Sequence, residues 1–454
     1  MPKSAKSRTC LAIILAAGEG TRMRSSLPKV LHRIAGLPML GHVIRAAADG
    51  GASRIAVVTG PNAGAVREYI AAAAPRAAIH VQPEQLGTAH AVLAARSEFE
   101  NAPDDILVLY GDTPLVGART LGRMRTALAR GADIVVLGFH TANPHGYGRL
   151  IEEKGKLVAI REEAEASKAE KAITYCNGGV MALCGEVVPP MLKAIRKRAP
   201  QGEYYLTDLI DIANRAGKTV VTIEAEADEV MGVNSRVELA VAEAIWQAKA
   251  RRQAMTAGAT LIAPETVYFS HDTKVGRDTL IEPHVWFGPG VTVGDNVTIR
   301  AYCHIEGAAI AAGAAIGPFA RLRPGAEIGP TAKIGNFVEV KNAAIGRGAK
   351  INHLTYVGDA AVGAGSNIGA GTITCNYDGF GKHHTEIGAG VFIGSNSALV
   401  APVTIGDGAY VAAGSTITKN VEPGALAIAR GRQQARPGWA AEFRSRIQAR
   451  RKQD

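Results

Sequence analysis

Short apolar runs alternate with helix-like stretches through the first half of the chain. Residues 11–16, 55–59, 106–110 and 134–138 are short apolar runs that read as buried strands. Residues 63–74, 88–98 and 120–130 lie between them and carry helix-forming sequence. This alternation predicts βαβ units and a mostly parallel sheet covered on both faces. Residues 234–252 then read as one long helix. Val237, Val241 and Ile245 fall on one stripe of it, and Asn234 or Ser235 suits its cap. Such a helix would join the halves as a stiff spacer. The expected domains are 1–233, a linker helix 234–254, and 255–454.

The second half changes period. Aliphatic anchors recur every six residues, as at Ile310, Ile316, Leu322, Ile328, Ile334 and Val340, and again at Ile387, Ile393, Leu399, Ile405, Val411 and Ile417. Gly or a small residue often follows the anchor, as in Ile316-Gly317 and Ile328-Gly329. Each short strand would turn one aliphatic side chain inward, and a residue tolerant of positive φ would turn the corner. Stacked coils bury a core that no single repeat can. The pattern resembles a left-handed parallel β-helix of triangular section. Residues 375–386 interrupt the rhythm with a polar, glycine-bearing stretch, expected to be a protruding loop of the kind that carries function.

Composition adds exclusions. The chain has 454 residues, 47% hydrophobic and 20% charged, which is globular rather than disordered. The net charge is +10, but Lys3, Lys6 and Arg8 at one end supply three of these charges. From Arg430 onward, eight basic residues face only Glu442 and Asp454. Basic tails on a nearly neutral body argue against nucleic acid as a partner. The five cysteines are widely spaced with no Cys-x-x-Cys, which excludes a disulfide framework and a zinc site and fits a cytoplasmic protein. No apolar run approaches 18 residues, so no membrane span is expected.

The first strand ends in Leu15-Ala16-Ala17-Gly18-Glu19-Gly20-Thr21-Arg22, followed by Pro28-Lys29. A glycine-rich turn leaving a strand brings backbone N–H groups to an anion, and Arg22 and Lys29 add charge where phosphates would lie. The spacing is neither that of a dinucleotide-binding fingerprint nor that of a P-loop. The motif resembles the signature of sugar-phosphate nucleotidylyltransferases. Gln82, Gln85-Leu86-Gly87-Thr88-Ala89 and Tyr110-Gly111-Asp112 match that family's uracil-recognising and metal-binding segments.

With the hexapeptide half, residues 9–440 resemble a bifunctional family. Its members acetylate glucosamine 1-phosphate from acetyl-CoA and join the product to UMP from UTP, giving UDP-N-acetylglucosamine and pyrophosphate. The resemblance implies a Rossmann-like α/β nucleotidyltransferase domain, a linking helix and a left-handed β-helix. It implies Mg²⁺ on Asp112 and Asn234, hard oxygen ligands that suit that ion. Arg22 and Lys29 would stabilise the triphosphate during attack on the α-phosphorus. Leu15, Ala16, Ala17, Gly18, Gln82, Gly87, Thr88, Tyr110 and Gly111 would surround the nucleotide. Gly148, Glu162 and Asn177 would hold the amino sugar. The Asn177-Gly178-Gly179 segment departs from the Asn-Thr-Gly more usual in relatives. Asp112 and Asn234 also suit helix caps, and Glu162, among Glu163 and Glu165, also suits a solvated face.

Acetyl transfer to an amine needs a base, and His353 in Asn352-His353-Leu354-Thr355-Tyr356 is the natural one, since histidine titrates near neutrality. Arg323 and Lys341 are cations suited to a sugar phosphate. The resemblance adds Tyr356, Asn367 and Glu339 to the sugar site. It places Ala370, Asn376, Tyr377, Ser395, Ala413 and Arg430 at acetyl-CoA, with Ser395 near the oxyanion. His383 and His384 read as exposed loop residues. The resemblance also implies a homotrimer with sites between subunits. The tail beyond Pro437, with Trp439 and Phe443, reads as a short amphipathic helix or as disorder. Two alternatives stay open: a monofunctional nucleotidylyltransferase with a regulatory β-helix, and a non-catalytic assembly protein. The set His353, Arg323, Lys341 and Asn376 argues against the first, and Arg22, Lys29 and Asp112 argue against the second.

Overall fold

The computed structural model describes residues 8–18, 20–198 and 202–451; Lys3, Lys6 and Glu19 lie outside the described residues. The chain divides into two compact units, Met1–Ala250 and Arg251–Asp454. The sheet of the first unit follows the order Val220–Glu224, Ile134–His140, Tyr175–Cys184, Asp105–Tyr110, Cys10–Ala16, Arg54–Thr59, Ala78–Val81. The four expected strands are all present. Side chains alternate between its faces: Ala12 and Ile14 pack with Leu40, Val43 and Leu121, while Leu11 and Ile13 pack with Val92, Ile106 and Leu209. Along this order the sheet is mostly parallel as expected, with one reversed strand: Tyr175–Cys184 runs antiparallel to both its neighbours.

Asp105 anchors the start of one central strand. Its carboxylate is fully buried and accepts from Arg8 Nη2 at 2.5 Å and Arg125 Nε at 3.0 Å. Replacing Asp105 by Ala leaves two guanidinium groups without their shared partner. The substitution is expected to lower the stability of this unit by about 3 kcal/mol, read as the shift in its urea midpoint.

The long helix runs Arg236–Thr256. Ser235 caps it: Ser235 Oγ accepts from Glu238 N at 3.2 Å, and the Glu238 carboxylate accepts from Asn234 N at 2.7 Å. The Val237–Val241–Ile245 stripe is not the buried face. Val237 and Val241 are exposed, whereas Leu239, Ile245 and Trp246 pack against Ile34, Met39 and Leu115. The helix has apolar residues all round, so spacing alone did not identify the docked side.

The second unit is the parallel β-helix. Ile281, Ile299, Ile316, Ile334, Ile351, Ile368, Ile393 and Val411 stack in register along one face. The glycine after the anchor has the expected positive φ at Gly317 (φ 89°), but at Gly329 its reason is different. A Cβ at Gly329 would lie 2.5 Å from the Ile345 carbonyl oxygen, so close approach of the next coil demands glycine there. The left-handed residue usually comes three positions after the anchor, and many such residues are not glycine: His284, Tyr302, Phe319 and Phe337 have φ of 55–62°. Each costs roughly 1 kcal/mol. Stacking of these rings at 4.9–5.1 Å offsets it, being worth about 0.5–1.5 kcal/mol per pair. The tail forms an exposed helix, Trp439–Arg450.

Candidate active sites

In the first unit, the strands Cys10–Ala16, Arg54–Thr59 and Asp105–Tyr110 are parallel neighbours, and the first of them lies between the other two. Strand order reverses there, which opens a crevice at the C-terminal ends where ligands bind in open α/β sheets. A cleft of about 280 Å³ fills it, lined by Leu15, Ala16, Ala17, Gly18, Lys29, Gln82, Gly87, Thr88, Tyr110 and Asp112. Gln85 Nε2 donates to Ala17 O at 2.8 Å and pins the glycine-rich turn. Gly20 has φ of 65°, and a Cβ there would meet Lys29 Cβ at 2.4 Å, so the turn folds directly onto the lysine. Gln82 is buried and donates its amide to Gly87 O at 3.1 Å. Its Oε1 is thereby left to accept.

A second cleft of about 320 Å³ shares Thr88, Tyr110 and Asp112 with the first and adds Gly148, Glu162, Asn177, Tyr205 and Thr207. Asn177 Oδ1 accepts from Gly179 N at 3.0 Å, which leaves its NH₂ group to donate. A Cβ at Gly178 would lie 2.7 Å from Val230 Cγ1 and 2.9 Å from Leu137 O, so the larger residue usual in relatives does not fit this packing. Arg149, buried, donates to Tyr147 O and to Glu163 Oε2, tying the walls at 147–148 and 162–163 together.

Burial raises the carboxyl pKa of Glu162, partly offset by a hydrogen bond from Thr207 Oγ1 at 3.0 Å. Burial also pushes the Tyr110 phenol well up, helped by the charges of Glu162 and Asp112. Glu162 is therefore not a solvated charge. A carboxyl whose pKa rises on folding opposes stability once it ionises. Glu162→Gln is thus expected to raise Tm at neutral pH, with the gain vanishing below about pH 4, where the native glutamic acid is itself neutral. Thermal melts at the two pH values read this directly.

Asp112 Oδ2 and Asn234 Oδ1 accept from the same ammonium, Lys29 Nζ, at 2.5 and 3.0 Å. Because Ser235 takes the capping role, the Asn234 side chain is free for this. Gly111 lies at the back, its N–H donating to Leu15 O at 2.9 Å. Arg22 is exposed on the turn Thr21–Met23 and does not line either cleft.

In the second unit, His353 ends the strand Lys350–His353 and is exposed. It pairs in register with Asn336, whose Oδ1 lies 2.7 Å from His353 Nδ1. With an amide oxygen as partner, Nδ1 carries the proton and Nε2 the lone pair. Beyond the same corner, Tyr356 begins a cluster. Arg323 Nη1 donates to Glu339 Oε1 at 2.8 Å, which raises the Arg323 pKa. Asn376 Nδ2 donates to Asp359 Oδ2 at 2.5 Å and to Tyr356 Oη at 3.4 Å. Lys382 has its pKa lowered, first by the adjacent Lys341 ammonium. Burial opposes the Asp359 charge, but hydrogen bonds from Asn342 and Asn376 and the two lysines hold its pKa low. Two ammonium groups beside one carboxylate leave this cluster net positive.

Ala370, Ser395, Ala413 and Arg430 lie near one edge of the β-helix on successive coils. Asn396 N donates to Ala370 O, Gly414 N to Ser395 O, and Arg430 Nη1 to Ala413 O, at 2.7–2.8 Å. Asn367 lies on the flat face between Lys350 and Phe392. The interrupting segment is a loop pinned by Asp378, which accepts from Phe380 N, Gly381 N and His383. These bonds, led by that from Gly381 N, depress the Asp378 pKa strongly. Tyr377 is exposed on it, while Asn376 is buried. His383 and His384 pair with Asp378 and Glu386, and no cluster of metal-ligating His, Cys, Asp or Glu occurs among the described residues. Lys382, Asn336, Asp359 and Thr207 were missed from sequence. Only a lysine in a functional-looking loop offered a signal, and it reads equally as a solvated charge.

A MobA-like NTP transferase domain model matches residues 12–175, and the bacterial transferase hexapeptide (six repeats) model matches 272–307 and 384–419. The chain is 55% identical over 439 residues to the bifunctional protein GlmU of Bradyrhizobium sp. (strain ORS 278), covering 97% of this chain and 98% of that one. It is 58% identical over 438 residues to the bifunctional protein GlmU of Xanthobacter autotrophicus, covering 96% and 98%. With the bifunctional protein GlmU of Brucella anthropi it shares 57% over 442 residues, 97% of each chain.

Proposed function

We propose, since the chain belongs to the family of bifunctional GlmU proteins, that its two units carry two consecutive reactions of UDP-N-acetylglucosamine synthesis. The β-helix acetylates glucosamine 1-phosphate with acetyl-CoA. The α/β unit joins N-acetylglucosamine 1-phosphate to UMP from UTP and releases pyrophosphate. One observation carries this reading: a single chain holds both a cleft with Lys29 and Asp112 at its sheet switch point and, on the β-helix, a His353–Asn336 pair together with a Lys341–Lys382 cation cluster. A regulatory β-helix has no use for the second set.

In the α/β unit, Gln82 Oε1 accepts the uracil N3–H, and Gly87 and Thr88 flank the base. Gly148, Glu162 and Asn177 hold the amino sugar. Nucleotidyl transfer here is metal-dependent, and Mg²⁺ is the proposed ion. Asp112 and Asn234 fit it, since a carboxylate and an amide oxygen already converge on one cationic point. When bound, it would supply positive charge that offsets the charge on the reacting phosphates. Lys29 and Arg22 add charge stabilisation to the triphosphate, with Arg22 reaching in from its exposed turn.

In the β-helix, His353 Nε2 takes a proton from the sugar's amino group as that group's nitrogen bonds to the thioester carbonyl carbon, and the C–S bond breaks with that proton passing to the departing CoA sulfur. Arg323, Lys341 and Lys382 hold the phosphate, with Tyr356 and Asn367 at the sugar. Ala370, Asn376, Tyr377, Ser395, Ala413 and Arg430 accommodate acetyl-CoA. His353 and Tyr377 stand open to solvent on one chain, which supports completion of the site in a homotrimer. The cytoplasm is the proposed compartment: all five cysteines are unpaired, and no helix among the described residues is long and apolar enough to cross a membrane.

The test supplies glucosamine 1-phosphate, acetyl-CoA, UTP and Mg²⁺ to the purified protein and identifies products by mass spectrometry. UDP-N-acetylglucosamine with free CoA is expected. UDP-sugar formed only from pre-acetylated substrate would replace this reading with a monofunctional one.

A further inference from the structure

Lys29 stands where a divalent cation is expected. Its ammonium donates to Asp112 Oδ2 at 2.5 Å and to Asn234 Oδ1 at 3.0 Å, the two oxygens assigned to the metal. The geometry is built rather than incidental. The Lys29 side chain is only 11% exposed, and the left-handed Gly20 packs onto its Cβ. Asn234 is held from its other side by the Glu238 carboxylate on its N–H. A Mg²⁺ ion binds such oxygens at about 2.0–2.1 Å, too near for an ammonium on the same atoms, and like charges at that range repel strongly.

On the metal assignment given above, on which this rests, we infer that Lys29 closes the metal site in the nucleotide-free protein and that a triphosphate opens it by drawing the lysine onto its own oxygens. The lysine then has a partner in either state: Asp112 and Asn234 without nucleotide, phosphate with it. Metal and nucleotide therefore bind with positive coupling, and the coupling is reciprocal. The consequence is that free divalent ion does not load the empty enzyme ahead of UTP.

Mn²⁺ titration of the full-length protein without nucleotide, read by electron paramagnetic resonance, tests this. Lys29→Met is expected to bind Mn²⁺ about tenfold more tightly than wild type, within the usual range of such couplings. An unchanged or weaker Kd would overturn the gate. Removing a charge could alone tighten binding, so a second readout uses the wild-type protein. Reductive methylation of Lys29, followed by peptide mass spectrometry, should speed up several-fold when saturating Mn²⁺ evicts the ammonium, and slow again when UTP is added. Methylation indifferent to Mn²⁺ would mean that lysine and metal occupy different places, and the gate fails. Asp112→Ala separates the two levels. Loss of Mn²⁺ binding in that variant supports the metal assignment itself, whereas retained affinity would refute that assignment whatever Lys29 does.

Discussion

Replacing His353 by Ala is expected to slow acetyl transfer about a thousandfold, in the range that general-base catalysis contributes, while uridylyl transfer to N-acetylglucosamine 1-phosphate stays within twofold of wild type. The reason is local. His353 is exposed at the end of the four-residue strand Lys350–His353, and its side chain pairs with Asn336 among the described residues. Removing the imidazole disturbs no core residue and leaves the α/β unit untouched. Asn336→Leu should act through the same group. Without an acceptor for Nδ1–H, the tautomer presenting Nε2 as the base is no longer favoured, and the rate should fall about tenfold, the worth of one good hydrogen bond to a group that becomes charged. Asn336 touches no substrate in this scheme, so its loss should lower kcat and leave the KM for acetyl-CoA unchanged. Stopped assays of CoA release read both variants. Loss of both activities in a folded His353→Ala protein would mean that the two sites are not separate.

Asp112→Ala is expected to give the mirror image. Uridylyl transfer should fall by about 10³, because the carboxylate that would hold the ion is gone and several kcal/mol of charge stabilisation go with it. Acetyl transfer should be unaffected. The protein should still fold, since Asp112 is partly exposed and its backbone carbonyl continues to accept from Val233 N at 2.8 Å. Pyrophosphate release in the presence of UTP and N-acetylglucosamine 1-phosphate is the measurement. Full Mg²⁺-dependent activity in the variant would dismiss the metal assignment.

What was readable from sequence divides along the line between local and long-range causes. The strands Cys10–Ala16 and Asp105–Tyr110 were plain because a strand buried on both faces must be apolar throughout. The β-helix was plainer still, since six-residue spacing repeats over many coils. The nucleotide turn was readable because its residues are contiguous. The strand Tyr175–Cys184 was not, as Gly178 and Gly179 break its apolar run at a bulge and its antiparallel place depends on distant partners. The helix expected over 88–98 stops at Ala94 and tightens into a 3₁₀ turn, where Glu98 is held by Arg54 and His80 from neighbouring strands. In the sites, Thr207 reaches Glu162 from 45 residues away, and Lys382 meets Lys341 only because the coils stack. Neither proximity leaves a mark on local sequence.

The division of labour is tested most directly by mixing the two variants. Folded His353→Ala and Asp112→Ala proteins are combined with glucosamine 1-phosphate, acetyl-CoA, UTP and Mg²⁺, and UDP-N-acetylglucosamine is quantified against each variant alone. The mixture should form it at a rate near half that of wild type, because the acetylated intermediate diffuses from one protein to the other, and each variant alone should form almost none. A mixture as inactive as its components would contradict two independent active sites on this chain.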